Sequence, residues 1–187
     1  MLTAPRHATA EDLERGLPEV LASPPDNGTL VTIVIRPATN QRRVVTSALL
    51  TPHGGIEGDR WVDEGKPDVR AQVSLMNARI LQQIAGHEDA VPLAGDNLIV
   101  DLDLSETNLP AGSRVAIGDE VVLELTDLPH TGCDKFQCRY GRAARGFVNN
   151  PRGKELHLRG RYASVVNAGT IRAGDPIRTL VRKPAVS

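Results

Sequence analysis

"GSRVAIGDEVVLELTDL", residues 112–128, reads as two short aliphatic strands broken at Gly118-Asp119. The same turn grammar returns near the C-terminus, where "AGTIRAGDPI" (168–177) echoes "AGSRVAIGDEV" (111–121). Working toward the N-terminus, "NLIVDLDL" (97–104) is another strand. "RAQVSL" (70–75) precedes Met76, Ile80, Leu81 and Ile84, whose near-helical spacing predicts a helix over 76–85 with Gly86 as its stop and Ser74 as a possible cap. "TLVTIVIRP" (29–37) and "QRRVVTSALL" (41–50) are rich in β-branched residues and flank a Pro37–Asn40 turn, which predicts a hairpin. Toward the C-terminus, "GRAARGFVNNP" (141–151) is expected to be a short helix ending before Pro151, and "RYASVVNAGTIRAGDPIRTLV" (161–181) a strand, a glycine turn and a last strand.

Many short strands between Gly, Pro and Asp turns predict a mainly β fold: a barrel or rolled mixed sheet with one or two short helices. The strand–helix alternation of a doubly wound fold is missing. With 187 residues the chain can bury one substantial core, and with aromatics at only 3% that core must be aliphatic. Residues 1–27 are expected to be an N-terminal extension packed on or near the domain, with Pro18, Pro24 and Pro25 limiting any helix there. Residues 28–182 form the domain and 183–187 a tail. Two cysteines make no disulfide framework, and neither a basic-then-apolar leader nor a membrane-length apolar run is present, so a reducing cytoplasmic setting is expected.

The net charge of -1 hides an asymmetry. Residues 1–132 carry 10 Lys/Arg against 20 Asp/Glu, and residues 133–187 carry 12 against 3, so the two parts hold -10 and +9. A surface that changes sign along the chain and an anion site near the basic part both fit. Nucleic acid is not expected, because no recognition helix, zinc finger or aromatic strand-binding pattern accompanies the charge.

Both cysteines lie in "LPHTGCDKFQCRYG" (128–141). Thr131 and Gly132 place Cys133 in a flexible local backbone that can expose its sulfur, with Lys135, Arg139 and Arg142 favouring the thiolate and His130 able to assist. A merely buried cysteine is the alternative. His130, Cys133 and Cys138 have zinc-ligand chemistry, but the spacing H-x2-C-x4-C is unusual and no second pair closes the set. In "TPHGGIEGDRW" (51–61) the amides of Gly54, Gly55 and Gly58 could form an anion nest, with Asp59 and Arg60 as a local pair and His53 as a pocket donor or a plain surface residue. Asn97 could bind a ligand or cap backbone. Of the two arginines in "HLRGRYAS", Arg159 and Arg161, one could fork onto an anion.

Taken in order, "GGIEGDRW", "RAQVSLMN", "LAGDNLIV", "LPHTGC" and "LRGRYASVVNAGTIRAGDPI" resemble MOSC domains, named after the C-terminal part of molybdenum cofactor sulfurase. The resemblance covers roughly residues 28–182. It implies a strand-rich barrel and a functional sulfur at Cys133, acting as a thiolate ligand to molybdenum or as a carrier of sulfur. It further implies a molybdenum cofactor of the molybdopterin type, whose phosphate would give the basic C-terminal third a purpose. Some stand-alone members resemble reductases of N-hydroxylated compounds. The chain departs from many relatives in having Gly132, not proline, directly before the cysteine.

Three functions follow as expectations. The first is a cofactor-binding protein, a possible molybdenum-dependent oxidoreductase, that reduces N-oxygenated compounds. Its metal ligand and catalytic residue would be Cys133, and its cofactor-binding set His53, Gly54, Gly55, Gly58, Asp59, Asn97, His130, Lys135, Arg159 and Arg161. The second is a non-redox carrier of sulfane sulfur or cofactor. The third is a structural or regulatory ligand-binding domain. No flavin, haem or iron–sulfur signature is present, so the partners expected are an external electron donor or cofactor-delivery protein and a small-molecule substrate, without nucleic acid or membrane. His53, the 54–59 loop, Asn97, Cys133 and Arg161 are expected to face one pocket at a barrel rim, with Arg159 and Lys135 as substitutes. Cys138 is expected to be auxiliary, packing as a small hydrophobe.

Overall fold

A computed structural model describes residues 7–63, 65 and 67–184. Seven strands close into a barrel: β1 (Gly28–Ile35), β5 (Val73–Asn77), β6 (Leu98–Asp101), β7 (Arg114–Ile117), β8 (Val121–Leu125), β9 (Arg161–Asn167) and β11 (Pro176–Val181). The ring runs β11-β7-β8-β9-β5-β6-β1 and closes where β1 meets β11 at Gly28↔Ile177. Every pairing in the ring is antiparallel except β5–β6. A parallel pair needs a crossover, and the helix α2 (Ala78–Ala85) with the 3-10 segment Glu88–Ala94 supplies it.

The first predicted hairpin divides. β2 (Arg43–Val45) extends the barrel sheet on β1, whereas β3 (Ser47–Thr51) joins β4 (Gly55–Ile56) and β10 (Gly169–Arg172) in a separate three-stranded sheet. The two echoing turns lie against each other, with Gly118 N donating to Pro176 O at 3.0 Å. Gly118 has φ +62, and a Cβ there would stand 2.9 Å from Asp175 Oδ2.

Strand alternation explains two cores. Leu75, Leu98 and Val100 point into the barrel with Leu30, Val115 and Leu123. Their neighbours Met76 and Ile99 point outward, where Ile80, Ile84, Phe136 and Tyr140 cover them. α1 (Ala10–Leu21) joins this outer layer through Leu13, Leu17 and Val20. Thr9 and Asp12 form its capping box, and the helix continues through Pro18 to Leu21, because its apolar face is buried.

Two further boundaries differ from expectation. α2 is capped by Asn77, whose Oδ1 accepts from the amides of Arg79 at 2.9 Å and Ile80 at 3.2 Å. Ser74 lies inside β5 and bonds Asn97 instead. α3 (Asp134–Asn149) begins seven residues earlier than expected and runs through a break at Gly141 (φ 90, ψ 167), with α4 (Pro151–Glu155) following. Among the described residues, no helix is long and apolar enough to cross a membrane.

Candidate functional site

Cys133 is the N-cap of α3, so its backbone is set by the helix that it opens. Phe136 and Tyr140 bury themselves in the outer core and fix the helix's first half. The sulfur is exposed. Burial pushes its thiol upward, but the amides of Phe136 and Lys135 and the charge of Arg159 outweigh that and lower it below the ordinary range. The Lys135 side chain itself is exposed. Cys138 is also exposed, not packed, since α3 turns Phe136 and Tyr140 inward and leaves position 138 outside.

Behind Cys133 lies a closed polar group. Arg159 donates to Asp96 Oδ2 at 2.6 Å and to Ala94 O at 3.3 Å, and its guanidinium carbon stands 4.9 Å over the Phe136 ring. His130 stacks on Tyr162 with centroids 4.2 Å apart, and its Nδ1 is 3.5 Å from Asp96 Oδ1. Burial, then the charges of Arg159 and Arg36, hold His130 well below its ordinary pKa, so the ring is neutral near pH 7. Burial raises the Asp96 carboxyl against the pull of Arg159.

The glycine-loop acid and Asn97 are joined to this group. Asp59 Oδ2 accepts from Asn97 Nδ2 at 2.9 Å, and both its oxygens accept from Arg36 at 2.9 Å. Burial pushes Asp59 up, but the Arg36 bonds and charge hold its carboxyl below the usual range. Asn97 is fully buried, and its amide is committed to Ser74, Val34 and Asp59. It braces β1, β5 and β6.

Three arginines from distant parts of the chain ligate three consecutive carbonyls: Arg139 on Leu93 (2.6 Å), Arg159 on Ala94 (3.3 Å) and Arg36 on Gly95 (3.3 Å). Arg42 stands beside them. A Cβ on Gly95 would be 3.3 Å from Arg42 Nη2 and 3.8 Å from Arg139 Nη1, so glycine leaves room for both guanidiniums. Burial, then the charges of Arg139, Arg36 and Arg60, lower the Arg42 pKa. Arg42 Nε is buried without a hydrogen-bond partner, and its Nη1 reaches only the carbonyl of Gln41, at 3.4 Å. A cluster of like charges with such an orphaned donor suits an anion. Arg36 and Arg42 were not among the residues expected from the sequence, and Arg139 was expected only as a cation favouring the Cys133 thiolate. Their only signal was basic character, because the residues that bring them together come from separate elements.

On the other side of His130 a cleft of about 400 Å³ is lined by His130, Arg159, Arg161, His157, Glu106 and Lys154. Arg161 fills the barrel end and bonds the carbonyls of Leu109 and Thr126. Glu106 lies 2.8 Å from His157 Nε2 and 3.3 Å from Arg161. Burial pushes Glu106 up, but His157 and Arg161 outweigh it and keep it ionised; burial, then Arg161, lowers His157.

The structure therefore brings together Cys133, His130, Arg159, Asp59 and Asn97, and places Arg161 across the cleft. His53 is exposed in the turn between β3 and β4, where Gly54 N bonds Thr51 and Gly55 packs on Trp61 and Gln72. Gly58 lies against Ile35 and Arg43. Among the described residues, no group of three or more His, Cys, Asp or Glu side chains is placed to hold a metal ion, so the zinc arrangement weighed for His130, Cys133 and Cys138 does not form. The exposed Cys133 sulfur, with the charge of Arg159 acting on it, has the chemistry to meet an anionic group that brings its own metal.

No curated protein matches the chain. Among solved structures it is similar to YiiM of Escherichia coli, with 18% identity, TM-score 0.56, and 87% of this chain and 72% of that one covered. It is similar to YiiM of Geobacillus stearothermophilus at 15% identity and TM-score 0.56, covering 83% and 76%. The YUAD protein of Bacillus subtilis aligns at 17% identity and TM-score 0.55, covering 82% and 95%. At these identities the likeness is one of fold. The MOSC domain description matches residues 59–178, more than half of the chain, and includes Asp59, Asn97, Cys133, Arg159 and Arg161. The chain thus belongs to the MOSC domain family, a family associated with the molybdenum cofactor.

Proposed function

We propose that this protein binds a molybdenum cofactor through the Cys133 thiolate and reduces small N-oxygenated compounds with electrons from a partner. The observation that carries the reading is the exposed, acidified sulfur at the start of α3 with the charge of Arg159 acting on it; the Arg36–Arg42–Arg60–Arg139 cluster and the His130 cleft, which Arg159 also lines, support it. Arg42 and Arg139 would hold the phosphate of the pyranopterin. The cofactor, when bound, supplies the two-electron redox chemistry. The chain's own residues orient and enclose: Arg159 fixes Asp96, Asp96 faces His130, and neutral His130 presents a hydrogen-bonding ring to the cleft.

The test is anaerobic purification from a cofactor-competent host, followed by metal and pterin analysis. Wild type and Cys133→Ser are compared with Cys138→Ser and the pair Arg42→Gln/Arg139→Gln. Molybdenum should be retained in Cys138→Ser and lost in Cys133→Ser, and pterin should be lost in the arginine pair. Folded, cofactor-exposed wild type lacking both molybdenum and pterin would end the proposal.

A second reading, a carrier of sulfane sulfur, draws on the same exposed thiolate. Mass spectrometry after exposure to a persulfide donor decides it. Sulfur added at Cys133 without molybdenum favours the carrier; no addition under conditions that load a known carrier excludes it.

A further inference from the structure

The residues on both sides of Cys133 are held by the far half of its own helix. Asn149 gives its whole amide to Gly132: Gly132 N donates to Asn149 Oδ1 at 2.8 Å, and Asn149 Nδ2 donates to Gly132 O at 2.8 Å. Arg145 reaches the same carbonyl with Nε at 3.2 Å and, with Nη1, Asp134 Oδ1 at 2.6 Å and Gln137 Oε1 at 3.1 Å. Gly132 and Asp134 are the chain neighbours of Cys133, so one guanidinium spans the cysteine.

An unbroken helix could not do this. Eleven residues separate Asp134 from Arg145, which is roughly 16 Å of helical rise. The break at Gly141, with φ 90 and ψ 167, turns the second half back onto the first. A Cβ at Gly132 would be 3.1 Å from Val148 Cγ2 and 3.3 Å from Asn149 Nδ2, so glycine is what lets the Asn149 amide close on the main chain.

We infer that Asn149 and Arg145 are positioning residues for Cys133, and that they fix the main chain on both sides of it, from which its side chain leaves the N-cap of α3. The inference rests on the reading of Cys133 as the working sulfur. Neither residue lines the cleft, and neither touches the arginine cluster through a described bond. Their effect passes through two peptide groups, as expected for a second layer of support around a reactive group.

The experiment uses Cys138 as an internal reference. The full chain is treated with iodoacetamide at pH 7, and the alkylation rates at Cys133 and Cys138 are read from the same peptides by mass spectrometry. Asn149→Ala should lower the Cys133/Cys138 rate ratio about five- to tenfold, since the Gly132 main chain that presents the exposed sulfur is no longer held in place. Asn149→Asp keeps the acceptor for Gly132 N–H but loses the donor to Gly132 O, and should lower the ratio by about half as much on a logarithmic scale. Should Asn149→Ala fail to fold, the Asn149→Asp ratio decides alone. A ratio within twofold of wild type in the folded variant overturns the inference. Failure of the cofactor reading looks different: the ratio falls in Asn149→Ala, but Cys133→Ser keeps its molybdenum. The converse pattern, an unchanged ratio with molybdenum lost in Cys133→Ser, removes the clamp and leaves the cofactor reading in place.

Discussion

Arg159 Nη1 lies 2.6 Å from Asp96 Oδ2, with both side chains closed off from solvent, although the two residues are 63 positions apart. The pair ties the start of β9 to the start of β6 behind Cys133. A buried ion pair contributes little net stability over an apolar replacement, yet breaking it from one side strands a charge. Its purpose here is geometric: it fixes a cation beside the sulfur and a carboxylate beside His130.

Removing one partner should therefore cost more than removing both. Arg159→Met is expected to destabilise the protein by about 3–5 kcal/mol, because Asp96 is left uncompensated. Adding Asp96→Asn to that variant should recover a large part of the loss. Urea unfolding of the two single variants and the double variant measures the coupling, and strictly additive losses would contradict it.

Asn97→Ala should be destabilising by about 2–4 kcal/mol. The amide satisfies Ser74 N–H and hydroxyl, the Val34 carbonyl and Asp59, all in a fully buried setting. Alanine takes the side-chain acceptor from Ser74 N–H and one donor each from the Val34 carbonyl and Asp59, although Asp59 keeps Arg36 and the Ser74 hydroxyl keeps the backbone N–H of residue 97. The checking measurement is equilibrium unfolding, and a loss below about 1 kcal/mol would mean that solvent reaches the site.

Gly160→Ala should fail to yield folded protein. Gly160 has φ +105, and a Cβ there would stand 2.2 Å from the carbonyl oxygen of Leu75. Relief would require parting β9 from β5, whose register is Leu75↔Arg161. Soluble Gly160→Ala with wild-type circular dichroism would refute the expectation.

Stability should fall as pH drops below 6.5. His130 and His157 both have folded-state pKa values below the ordinary 6.5. The unfolded chain then binds more protons between those lowered values and 6.5, so stability is present above 6.5 and is lost as pH falls toward the folded pKa values. Thermal unfolding between pH 7.5 and 5.5 should show a decreasing Tm, and His130→Asn should flatten the slope. An unchanged slope in that variant would place the dependence elsewhere.

The β character of this chain was legible from residues 112–128 outward. A period of two and glycine turns are local properties that need no knowledge of the rest of the molecule. Gly118 and Gly174 sit in the left-handed turns that their neighbours suggested. Cys133 was legible as a sulfur of interest through its ordered surroundings, and Asp59, His130 and Arg159 were legible as polar residues worth watching. The start of α3 was not legible, because Thr131-Gly132 reads locally as flexible backbone. The Asn149 amide and Arg145, which pin that backbone, come from beyond the break at Gly141.

By itself, then, the sequence determined the β character, most of the strands and turns, and the family to which they belong. Tertiary structure decided barrel closure, since the meeting of Gly28 with Ile177 depends on all the strands between them. It also decided which cations share a site: Arg36 and Arg42 come from one part of the chain, Arg139 and Arg159 from another, and they meet around three carbonyls and one glycine at Leu93–Gly95. The physical reason is the range of each effect. Propensity and alternation act over a few residues, whereas charge clustering and burial depend on through-space neighbours that only the closed barrel supplies.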